Sequence, residues 1–137
     1  MNDRELVAKV RSSMYRQCQE RGYAATVDVM MDLGILQKEQ YENWRRGRVP
    51  YLEKVCTVNL SKLYTLRHEM SSYAQKANLK PSYCFYKQWA VKKRIPLRFS
   101  KSGREDIERQ YATHFVDSAR VGKLKSSEKP MDREQEI

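Results

Sequence analysis

Apolar positions recur at helical spacing along most of the chain. Leu6, Val10, Met14 and Cys18 fall four apart, with Val7 beside them, and make one stripe. Asn2 suits the N-cap of that stripe, with Glu5 three places on as the reciprocal partner of a capping box. Gly22 suits the left-handed position just past the end. The pattern predicts a helix over 2–22, with Cys18 as a buried, inert thiol. Val27, Met30, Met31 and Leu33 mark a short helix over 26–33, capped by Thr26, with Asp28 at its N-terminus and Gly34 as the stop. Ile35 and Leu36 fall in the following turn, where one of them should plug the angle between helices. A third helix is expected over 38–46. Tyr41 and Trp44 share its inner face as core anchors, while Lys38, Gln40, Asn43 and Arg46 lie on the other.

Gly47 ends that helix, and Pro50 can take the first position of the next. Leu52, Val55, Cys56, Leu63, Leu66, Met70, Ala74 and Ala77 then keep helical spacing, so one long central helix is expected over 50–77, with Asn78 as its stop. It would span about 42 Å at 1.5 Å per residue. Asn59 interrupts the stripe and marks a kink or a polar contact. Pro81 breaks the pattern. Ser82 can cap a further helix to about Lys92, with Tyr83, Tyr86 and Trp89 as a packed face. Over 95–100, Leu97 and Phe99 alternate with Arg98 and Ser100, which suggests a short strand. Residues 104–110 read as helix and 111–116 as strand or helix end, compatible with a small β-hairpin between 95–100 and 111–116. The expected class is mainly α: one helical domain over 1–117, divisible into 1–60 and 61–117, and a polar, flexible tail over 118–137, disordered or loosely helical.

A chain of 137 residues suits one domain with a real core. No apolar run approaches the ~18 residues of a membrane span, so no membrane partner is expected. Without an export signal, the three scattered cysteines read as reduced thiols of a cytoplasmic protein. The net charge of +10 changes the picture through its distribution. From Lys80 to Arg104 there are eight basic residues (Lys80, Lys87, Lys92, Lys93, Arg94, Arg98, Lys101, Arg104) and no acidic one. A solvated face is the plainer reading of charge alone. Segregation to one sign, interleaved with Tyr83, Phe85, Tyr86, Trp89 and Phe99, favours a nucleic acid.

Residues 29–52, VMMDLGILQKEQYENWRRGRVPYL, resemble the helix-turn-helix of the phage Cro/repressor (Xre-like) class. The resemblance rests on Leu33-Gly34 before the turn, Trp44 late in the second helix, then Arg46-Gly47-Arg48, Val49-Pro50 and Leu52-Glu53. It implies that Trp44 packs in the core while the exposed face of its helix reads the major groove. Lys38, Gln40 and Asn43 would then be base readers, and Arg45, Arg46 and Arg48 backbone contacts. The interval from Gly34 to Trp44 is longer than the usual pattern, and Met30 stands where a small alanine is normal. The whole chain also resembles small uncharacterised bacterial proteins with a WRxGRVPYLE stretch, a likeness that implies no activity. Tyr86-x-x-Trp89, followed by Lys92-Lys93-Arg94 and Ile95-Pro96, looks like a second, diverged copy of Tyr41-x-x-Trp44 and its arginines. Two such units, or a homodimer with one each, would meet the half-site spacing of about 34 Å.

Catalytic constellations do not compete with this reading. His68 and His114 are far apart and no Cys-x-x-Cys exists, so neither a metal nor another cofactor is expected. The glycines are isolated, which excludes a phosphate loop. Glu105, Asp106 and Glu108 read as the charged first turn of a helix. Arg104, Tyr111 and His114 could be drawn as a DNA-cleaving tyrosine site, but the chain is short for a recombinase. The expectation is a non-enzymatic, sequence-preferring double-stranded DNA-binding protein, regulatory or associated with a mobile element. Its candidate contacts are Lys38, Gln40, Asn43, Arg45, Arg46, Arg48, Lys87, Lys92, Lys93, Arg94, Arg98 and Lys101. RNA is a sub-case, with Tyr83, Phe85 and Phe99 stacking on unpaired bases. The alternative is a helical interaction or dimerisation module without nucleic acid.

Overall fold

The computed structural model describes residues 1–126. Helix α1 (Asp3–Arg21) is followed by strand β1 (Tyr23–Ala25), α2 (Thr26–Asp32), α3 (Lys38–Arg45), a 3-10 turn (Leu52–Val55), α4 (Leu60–Lys76), β2 (Lys80–Tyr83), α5 (Glu105–Ala112) and β3 (Thr113–Val116). Residues 118–126 are helical, the second of the two conformations expected for the tail, and its remainder lies outside the described residues. The fold is mainly helical, with one small antiparallel sheet of order β1-β3-β2. Among the described residues, no helix is long and apolar enough to cross a membrane.

The first helix forms as its spacing dictates. Asn2 accepts the Glu5 N–H at 2.8 Å, and Gly22 takes φ 86 at the C-terminal end. Leu6, Val10, Met14 and Cys18 are all buried, and burial pushes the Cys18 thiol up to about 11, so it stays protonated and unreactive. The next helix, α2, is where expected, but Thr26 does not cap it. Its hydroxyl donates instead to the carbonyls of Gln110 and Thr113, both at 3.2 Å, tying α2 to the junction of α5 and β3. Both Ile35 and Leu36, rather than one of them, are buried in the turn before α3.

The long central helix does not form. The chain makes a 3-10 turn at Leu52–Val55 and leaves helical geometry, and α4 begins afresh at Leu60 with Asn59 as its N-cap. The Asn59 side chain accepts the Lys62 N–H at 3.0 Å, while Thr57 bonds through its N–H to the Ile35 carbonyl at 2.8 Å. A side chain that satisfies a backbone N–H competes with the continuing helix, and the β-branched Val55, Thr57 and Val58 weaken it further. The result is a helix of 17 residues in place of the expected span. It packs along α1, where Leu63, Leu66, Met70 and Ala74 bury against that helix's stripe. Asn78, at φ 61, closes it in the left-handed conformation.

The helix expected over 82–92 is absent too. Lys80–Tyr83 pair with β3 instead, Lys80 opposite Val116 and Tyr83 opposite Thr113. The other side of β3 pairs with β1, Ala24 opposite Phe115. So 111–116 is both helix end and strand, and its partners are β1 and β2, not 95–100. Residues 86–97 turn back on themselves. Leu97 N–H donates to Tyr86 O and Gln88 N–H to Ile95 O, each at 2.9 Å, with a bridge between Lys87 and Pro96. Segment 98–101 is then held by two carboxylates. Glu108 accepts the N–H groups of Phe99 (2.9 Å) and Ser100 (2.8 Å), and Glu53 accepts that of Lys101 (2.7 Å). One buried cluster runs from Leu6 to Phe115 and draws on both 1–60 and 61–117, so the two halves share a core.

Candidate nucleic-acid interface

Helix α3 is built around Trp44. The indole is fully buried, donates from Nε1 to the Arg98 carbonyl at 2.8 Å, and lies 5.1 Å from the Phe99 ring and 5.6 Å from Tyr86. That fixes which face of the helix looks outward. Lys38 is exposed, and Gln40 and Asn43 are half-buried. Glu39 and Glu42 stand among them, which limits close phosphate approach along the helix itself. Beyond the helix end, Gly47 takes φ 76 and the chain turns sharply, leaving Arg46 and Arg48 exposed. The Arg48 guanidinium reaches back to Asn43 Oδ1 at 3.4 Å.

The two aromatic-basic clusters are packing partners rather than copies. Tyr41 and Trp44 sit on a helix, Tyr86 and Trp89 on the 86–97 hairpin, and the pairs interlock. Tyr86 packs on Trp44, and Trp89 meets Tyr41 edge-on at 5.9 Å. Trp89 N–H also donates to the Arg45 carbonyl at 2.7 Å. Burial raises the Tyr86 hydroxyl far above its ordinary range; Asp28 adds a smaller upward push and Arg45 a smaller opposing one. The same hydroxyl lies 3.3 Å from His114 Nε2, which ties the base of the hairpin to β3.

This packing gathers most of the expected contacts and separates others. Lys87, Lys92, Lys93 and Arg94 are exposed on the hairpin, which is fastened to the end of α3 beside Arg46 and Arg48. Arg45 is half-buried, its guanidinium 5.0 Å from the Tyr86 centroid and 4.9 Å from that of Trp89. Arg98 is engaged internally: its side chain donates to the carbonyls of Ser100, at 2.8 Å, and Lys101, and lies over the Tyr51 ring. Lys101 borders a different surface, a cavity shared with Leu60, Tyr64 and Ile107. Phe99 is buried and cannot stack on a base, whereas Tyr83 and Phe85 are exposed. Sequence reasoning missed Gln88, which lies against Gly47, and the contact of Trp89 with α3. The matched Tyr-x-x-Trp spacings were their signal.

A groove of about 760 Å³ between α4, β2 and α5 shares no residue with this surface. Arg67, Arg109, Glu105 and Asp106 line it together with Met70 and Phe115, a wall of mixed charge. No family model matches the chain, and no curated protein or solved structure is significantly similar to it.

Proposed function

We propose that the protein binds double-stranded DNA with sequence preference, as a regulatory or mobile-element-associated factor, with the outward face of α3 directed into the major groove. One observation carries this reading. The 86–97 hairpin, carrying the exposed Lys87, Lys92, Lys93 and Arg94, is fastened to the end of α3, some forty positions away in sequence, beside the exposed Arg46 and Arg48. Lys38, Gln40 and Asn43 are of the types that reach base edges, and Arg46 and Arg48 flank them for phosphate. Affinity for random-sequence duplex should therefore fall steeply with salt, since each neutralised phosphate releases counterions. In duplex selection, Lys38→Ala with Gln40→Ala should erase sequence preference. Arg46→Ala with Arg48→Ala should weaken all sequences alike. Absence of duplex binding at low salt, or tighter binding of the matching RNA duplex, would overturn the reading.

A second reading, a helical interaction module, is favoured by Leu60 and Tyr64, which stand 54% and 61% exposed one turn apart on α4. A sedimentation measurement separates the two. A dimer dispersed by Tyr64→Glu, together with no duplex binding, would support it over the first.

A further inference from the structure

The 86–97 hairpin does more than add charge. Trp89 fastens it to α3 through its backbone N–H bond to the Arg45 carbonyl and, through its ring, by the edge contact with Tyr41 and the Arg45 guanidinium lying against Trp89 and Tyr86. The Nε of Arg45 is buried with no hydrogen-bond partner, on the side of the cation that lies against the rings. Gln88 lies so close over Gly47 that a Cβ there would come within 2.5 Å of it. Ala90, at φ 64, holds a conformation that L side chains rarely adopt, and such strain persists only where its surroundings over-determine it. Beyond these moorings, Lys92, Lys93 and Arg94 stand consecutively and exposed, with no acidic residue between Lys80 and Arg104. Three adjacent cations repel one another, and a polyanion relieves that repulsion.

We infer that the hairpin is a wing that grips the phosphates flanking the groove entered by α3, with Arg45 and Trp89 as positioning residues that set its distance from the helix. This rests on the duplex-DNA reading above. It reassigns Arg45 from a phosphate contact to a brace.

The test is anisotropy of a fluorescein-labelled random-sequence DNA duplex with the full chain, titrated across salt concentrations. Replacing Lys92, Lys93 and Arg94 together by Gln should reduce the slope of log K against log salt by about 2–3, at about 0.9 per contact. Trp89→Ala removes no charge, yet should lower the slope towards the same value. Arg45→Gln, which leaves the backbone bond to Trp89 in place, should lower it by more than the about 0.9 of one lost contact. Circular dichroism establishes that each variant is folded. No binding by the unsubstituted protein is failure of the duplex reading itself. Binding with an unchanged slope in the triple variant overturns the wing alone. A wild-type slope in Trp89→Ala, or a loss of no more than one contact in Arg45→Gln, overturns the positioning role.

Discussion

Trp44 and His114 show how much a single side chain decides here. Trp44 is fully enclosed and its N–H is satisfied, so Trp44→Ala should cost about 3–5 kcal/mol in urea unfolding, from lost burial and the cavity left behind. A cost under ~1 kcal/mol would mean the tryptophan is not the anchor of α3. His114 stacks on Tyr23 at 5.3 Å and touches Tyr86. Burial lowers its pKa below the ordinary 6.5, with smaller, opposed effects from Asp28 and Arg21. The unfolded chain therefore takes up the proton first as the pH falls. This contribution to stability is whole above about 6.5, declines as the pH drops towards the folded-state value, and is level below it. Urea midpoints measured on both sides of that window should show the decline, and His114→Gln should flatten it; an equal slope in the variant would sink the assignment. The burial of Trp44 could be read from its place opposite polar positions. That Trp89 packs could be read from the Tyr83, Tyr86 and Trp89 spacing, but not that its cover is α3, distant in sequence, nor that Tyr83 stays exposed.

Elements were legible where local signals agreed. Each of α1, α2 and α3 has an apolar face bounded by glycine, and α1 has a side-chain cap, so periodicity and termini point the same way. The segments over 50–77 and 82–92 misled for a physical reason. Apolar residues three or four apart can be buried by a helix or by a chain that turns repeatedly against a larger core, and spacing alone does not separate the two. Asn59 was the local clue to the first break. Asn59→Ala removes the cap of α4 and should destabilise the protein by about 1 kcal/mol, within the usual 0.5–2, as read by chemical denaturation. An unchanged midpoint would show that α4 is held by α1 alone. The 86–97 segment carried no such clue. Its hairpin depends on Tyr86 reaching Trp44 and His114, contacts whose partners the segment does not contain.

For the molecule as a whole, a buried polar network joins elements that spacing could not bring together. Tyr111 Oη donates to Glu53 Oε2 at 2.7 Å and accepts from Arg67 Nη1 at 2.6 Å, while Arg67 Nε donates to Gln110 Oε1 at 2.7 Å. The Arg67 and Glu53 side chains are 8% and 6% exposed, so each charge depends on its partners. Glu53→Ala should therefore cost about 3–5 kcal/mol, because Arg67 would stay buried without its countercharge. Glu53→Ala combined with Arg67→Met should recover part of that loss in a double-mutant cycle. Simple additivity would show that the network does not act as a unit. The same network places α5 against α4, and the Glu108 carboxylate holds Phe99 where it covers Trp44. The surface around α3 is thus supported from the opposite end of the chain.

By itself the sequence determined the stripes of α1 and α2, the glycine and asparagine ends and the one-signed charge of 80–104, because each depends on neighbours within a few residues; it marked Trp44 as an anchor but not the distant Arg98, Phe99 and Tyr86 that enclose it. Tertiary structure alone decided that the second Tyr-x-x-Trp would pack on the first, that β3 would sit between β1 and β2, and that the basic residues would divide. Lys87, Lys92, Lys93 and Arg94 went to the hairpin at α3, while Arg98 and Lys101 went to a loop held by Glu53 and Glu108. The reason is that charge and spacing are written along the chain, whereas the side a charge faces is set by whatever distant surface buries the apolar residues beside it.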